Sequence, residues 1–153
     1  MLDLIRTELQ FSSAVVLSRE EVVPRFRVIA PEGQTVVMLP LPDDLSEKVR
    51  RMALIRDYMA WRGATAFVLS AEMQTPDAVM ALGVTRAACG GLQRPIIRVP
   101  LDLGPERMLE REVIGEGFSD LLPKPGQEID AEAKAELLRV FGTGGEFEAR
   151  TVN

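Results

Sequence analysis

The chain has 153 residues, a formal net charge of -5 and 46% hydrophobic content, with no histidine and one cysteine. Histidine is the side chain that titrates near neutrality and the commonest proton shuttle and metal ligand, so its absence excludes Ser-His-Asp and Cys-His catalysis and His-bearing zinc and iron sites. The single Cys89 cannot close an internal disulfide, which fits a reducing compartment.

The spacing predicts a helix over residues 2–18, with Ile5, Leu9, Ser12 and Val16 on one side and Leu4, Phe11 and Val15 on the other. A β-hairpin follows. Arg25, Phe26, Arg27 and Val28 alternate as a half-buried strand does, Ala30-Pro31-Glu32-Gly33 carries turn chemistry, and Gln34 to Leu39 returns until Pro40 and Pro42 stop the ladder. Residues 43–62 form the strongest predicted helix, with Asp43 or Asp44 as its cap and Gly63 as the left-handed residue past its end. Its main apolar stripe is Leu45, Val49, Met52, Ile55 and Met59, while Leu54, Tyr58 and Trp61 make a second patch on the other side.

Residues 64–71 are apolar on both faces, the pattern of a central strand covered on both sides. Ala78 to Thr85 fits a short helix started at Thr75-Pro76 or, as favoured by the turn residues that follow, the next strand, and residues 92–99 read as a third, with Pro95 pointing to an edge or a bulge. A short helix from Pro105 to Glu112 and a helix capped by Asp130 and ended by Gly142 complete the reading, and residues 143–153 are expected to be a flexible tail, the alternative being that the stretch from Phe147 adds a strand to a neighbouring sheet edge. The order of elements implies one α+β domain over 1–142: a mostly antiparallel sheet of about five strands with helices packed on it.

Charge is unevenly spread. Residues 102–153 carry twelve acids against six bases and hold all the excess negative charge, so nucleic-acid binding is disfavoured, since neutralising phosphates takes clustered cations. The one basic cluster, Lys48, Arg50, Arg51, Arg56 and Arg62, points in several directions around its helix and reads as a solvated surface. Asp3 and Glu8 stand where a signal peptide would be basic, and the longest uncharged runs, such as Leu9 to Ser18, are about half of a membrane span. The expectation is a cytoplasmic protein with no membrane segment.

No diagnostic motif emerges. Gly83 to Gly91 fits neither phosphate-binding glycine pattern and reads as a turn. Cys89 has no histidine to serve as its base and reads as a small residue packed beside two glycines. Paired acids such as Asp43 and Asp44 read as helix caps, so no metal or cofactor is expected. Two sets of residues remain. Leu54, Tyr58 and Trp61, at i, i+4, i+7 with the only tryptophan, suit an interface between identical subunits or with another protein. Glu72, Asp77, Arg86 and Arg94 suit a ligand pocket, because carboxylates do acid-base work and arginines fork onto anions. The first set leads to the expected function, a non-catalytic protein acting through contacts as a homodimer. The second gives the alternative, an anion- or metabolite-binding module or modest enzyme. A nucleic-acid accessory ranks last.

Overall fold

A computed structural model of the chain describes residues 1–18, 21–74, 77–86, 92–93, 96–100, 107–108 and 121–152. Helix α1 (Leu2–Leu17) precedes the hairpin β1 (Arg25–Ala30) and β2 (Gly33–Met38), then helix α2 (Leu45–Arg62). The long hairpin β3 (Ala66–Gln74) and β4 (Asp77–Arg86) follows, with β5 (Leu92–Gln93), β6 (Ile96–Pro100) and β7 (Arg107–Met108) after it. Helix α3 (Ala131–Phe141) and β8 (Glu148–Val152) close the order. All pairings are antiparallel in one sheet of order β7-β6-β4-β3-β1-β2-β8, with β5 also on β4.

The fold is therefore the expected α+β arrangement, with eight strands rather than about five. Three differences have local causes. The run 92–99 contributes two short strands, β5 and β6, either side of residues 94–95. Arg107 and Met108 pair with Arg98 and Ile97 as β7, so the helix expected over 105–112 does not form there. The expected tail supplies β8, whose Ala149 and Thr151 face the core side of the sheet and pair with Val37 and Thr35. Of the turn expected over Gly83 to Gly91, Gly83 to Arg86 belong instead to β4, and residues 87–91, Cys89 among them, lie outside the described residues.

Local chemistry sets the ends of α2. The Asp44 carboxylate accepts from the Glu47 amide at 2.8 Å, and Gly63 sits at φ 63°. There the Ala64 amide donates to Met59 O and the Gly63 amide to Ala60 O, a Schellman closure that needs the left-handed residue. Asp130 caps α3 in the same way, accepting from the Ala133 amide at 2.7 Å.

Strand alternation assigns the layers. Phe26, Val28, Val37, Phe67, Leu69, Leu82 and Val84 pack with Ile55, Tyr58 and Met59 of α2 and Leu137 and Val140 of α3. Val68 and Ala81, on the opposite face, pack with Ile5 and Leu9 of α1. The central strands are thus covered on both sides, as their continuous apolar run requires.

The register of α2 differs from expectation. Leu45 and Val49 are 74% and 60% exposed, because the first turns of the helix overhang the core. Leu54 and Tyr58 are buried instead, and α3 covers them: the Tyr58 ring meets Phe141 edge-on at 5.2 Å and Trp61 at 5.7 Å. Of the patch expected to serve as an interface, Leu54 and Tyr58 are consequently core and Trp61 is partly buried at its edge.

Candidate functional site

The residues expected to line a pocket do not converge. Asp77 opens β4 opposite Gln74 and Arg86 closes it opposite Leu92. A strand of ten residues separates them by roughly 30 Å of backbone. Glu72, opposite Val79 near the Asp77 end, is exposed, and Arg94 lies outside the described residues.

A different cluster does converge, on the α1 face. Helix α1 crosses β3 and β4 and reaches β1 through Glu8 and Phe11, and among the described residues no helix packs on the same face of β2 and β8. The register lays side chains there in rows. Ser70, Arg25, Met38 and Glu148 stand in line across β3, β1, β2 and β8, and Val68, Arg27, Val36 and Arg150 form the next row. Two arginines on β1 thus point to the side of α1 because Phe26 and Val28 between and beside them must point to the core.

Glu8 meets them from α1. Its carboxyl is fully buried, accepting from Arg25 Nε at 3.0 Å and from Arg27 Nε at 2.7 Å. Arg27 Nη1 also donates to Gln34 Oε1 at 2.9 Å. The Arg25 guanidinium lies over the Phe11 ring, 3.7 Å from its centroid, a cation–π contact. Two cations share one anion, so the cluster keeps a formal charge of +1. The Nη groups of Arg25 have no protein acceptor among the described residues. Close by in the α1–sheet layer, the hydroxyls of Ser12, one turn beyond Glu8, and Ser70, opposite Arg25, are buried with no partner among the described residues. Each such hydroxyl costs about 1–3 kcal/mol of desolvation.

Arg25 and Arg27 form one wall of an open groove of about 410 Å³. Its apolar lining comes from Phe11, Val36, Met38 and Val152, and its far rim from Glu148 and Arg150, which pair with each other. The groove offers a donor-rich, singly positive end beside an apolar bed. That is the combination that holds an anion with a hydrocarbon body.

The other concavities differ in kind. One, of about 670 Å³ between residues 63–66 and 123–127, has Lys124 as its one charged lining residue among the described residues. An acidic cleft holds Asp57, Asp130, Glu132 and Glu136. Burial raises the Asp57 carboxyl above its usual range, against the pull of Arg56 and with the repulsion of Asp130. Asp130 is committed to its cap, and among the described residues no group of three His, Cys, Asp or Glu side chains is placed to hold a metal ion.

Three of the five residues of the basic cluster of α2, Arg50, Arg51 and Arg62, are engaged by acids. Arg50 binds Glu47 at 2.6 Å and Glu146 at 2.9 Å, Arg51 binds Glu47 at 3.2 Å, and Arg62 approaches Glu32 at 3.6 Å. The Arg50 hydrogen bonds hold Glu146 and, together with Arg51, Glu47 below the usual carboxylate range, and Arg139 does the same for Glu136. These pairs are exposed and individually worth little.

Sequence reasoning misses the groove because Glu8 reads as one acid among many near the chain start. The signal is present in Arg25 and Arg27. Two cations spaced by two on a strand share one face, and with Phe26 and Val28 committed to the core that face must find an anion. No protein-family model, curated protein or solved structure matches the chain.

Proposed function

We propose that the chain is a binding protein for a small organic anion, held in the groove between α1 and the β1–β2–β8 end of the sheet. The carrying observation is the surplus charge: Glu8 neutralises one of Arg25 and Arg27, and the Nη groups of Arg25 remain available to a ligand carboxylate or phosphate. Val36, Met38 and Val152 would bed its apolar part, and the Phe11 ring beneath Arg25 fixes the guanidinium plane. Preorganisation of this kind favours affinity, since little ordering is left to be done on binding. Among the described residues the groove lining has no nucleophile paired with a base, so binding rather than turnover is the reading it supports. The cysteine usage suits a cytoplasmic setting for that role.

Isothermal titration with acetate, hexanoate and benzoate tests the reading. Affinity is expected to rise from acetate to the two larger anions as apolar surface is buried. Arg25→Gln is expected to weaken hexanoate by about tenfold, the equivalent of one charge-assisted hydrogen bond of about 1.5 kcal/mol. Silence of the native protein toward all three, or an Arg25→Gln variant that binds as well as native, overturns it.

A further inference from the structure

β8 ends the sheet. Its inner edge pairs with β2 from Glu148 to Val152, and among the described residues nothing pairs with its outer edge. An open edge presents unpaired N–H and C=O groups, a template for a further strand. The two faces of this edge are unlike. On the α1 side stand Glu148 and Arg150, joined to each other. On the α2/α3 side, Ala149 and Thr151 border a cleft of about 190 Å³ with Trp61, Leu138 and Phe141, and Leu138 is 53% exposed.

We propose that two copies of this chain pair through their β8 strands, antiparallel, about a two-fold axis at Ala149. Side chains directly opposite in an antiparallel pair share a face, so a two-fold axis must pass through a residue that meets itself. An axis at Glu148 sets acid against acid, and one at Arg150 sets cation against cation. An axis at Thr151 leaves Arg150 against valine. At Ala149 alone, Glu148 faces the partner's Arg150 and Arg150 faces the partner's Glu148. Both pairs are cross-strand neighbours of opposite charge, and each replaces an exposed pair within one strand, which is worth little. The residue on the axis is the smallest side chain of the strand, and the neighbouring copy brings cover to the exposed Leu138. An axis normal to the sheet also sets the two anion grooves side by side on one face of a continuous sheet.

Light scattering after size-exclusion chromatography tests the pairing through charge reversal. The native chain is expected to be a dimer whose population rises with concentration. Glu148→Arg leaves two cations in the strand and Arg150→Glu leaves two acids, so each alone is expected to dimerise at least tenfold more weakly. Mixed, they are expected to form a one-to-one heterodimer, and the exchange variant Glu148→Arg/Arg150→Glu to dimerise like native. The mixing and exchange arms hold even where one single variant folds poorly. A native monomer throughout the micromolar range overturns the proposal, as does a dimer indifferent to both reversals or a mixture that stays monomeric. None of these outcomes depends on whether the groove takes a carboxylate.

Discussion

The two faces of the sheet are built on opposite terms. Toward α2 and α3 the strands present Phe26, Val28, Val37, Phe67, Leu69, Leu82 and Val84 to a continuous apolar layer. Toward α1, among the described residues, the apolar contact is Ile5, Leu9, Val68 and Ala81 with Met1 and Leu4 packed against them, and beside it lie Glu8, two arginines and two serine hydroxyls with no partner there. The first face stabilises the fold and offers no chemistry. The second contributes little net stability, because a desolvated ion cluster roughly breaks even against an apolar one of the same size. The surplus charge that this cluster keeps beside a groove is the feature on which the proposed binding role rests.

The contrast is open to direct attack. The largest effect belongs to the apolar face: Phe67→Ala, which empties a fully buried site beside Phe26, is expected to lower unfolding free energy by about 3–5 kcal/mol in urea titration. Such a variant, provided it stays folded, is expected to retain its carboxylate affinity. Next comes the polar face. Glu8→Gln strands two guanidiniums and is expected to cost about 3 kcal/mol, whereas the combined Glu8→Leu, Arg25→Met and Arg27→Leu replacement recovers most of that loss and abolishes anion binding. If the triple variant stays as unstable as Glu8→Gln, the cluster is structural and the contrast between the faces dissolves.

The smallest effect is electrostatic. Burial lifts the folded-state pKa of Asp57 above its unfolded value of 3.8, so its ionised form opposes folding. That penalty is absent at low pH and appears as pH rises through the folded pKa. Asp57→Asn is therefore expected to melt within about 2 °C above native at pH 7 and level with it near about pH 3. Glu47, Glu136 and Glu146 run the other way. Their folded pKa values lie below 4.5, so their support is present above that value and is lost as pH falls through the folded values. Added salt is expected to flatten this acid limb.

What sequence reveals here follows from how local each signal is. The α2 helix carries its own start and stop in Asp44 and Gly63, and the β1–β2 hairpin its own turn in Pro31 to Gly33, so both are legible. The Ala66–Ser70 stretch announces cover on two sides by its unbroken apolar run. By contrast, periodicity says which residues share a side of α2 but not how far the helix extends past the sheet, and so it misplaces Leu45 and Val49. It also shows a second apolar patch without showing that α3, some 70 residues later in the chain, closes over it. The groove is the least local feature of all. It needs the register of four strands and the crossing of α1 to bring residue 8 to residues 25 and 27.

Gly83 gives that crossing its height. It lies in β4 beneath α1, where an added Cβ would come within 2.7 Å of both Ile5 Cδ1 and Met1 Sδ. Ile5 precedes Glu8 by three residues on the same side of the helix. The absence of one carbon two strands away thus sets how deep the Glu8 carboxylate reaches. A methyl group there would act as a shim, tilting the N-terminal helix and changing the share of each guanidinium left for an incoming anion.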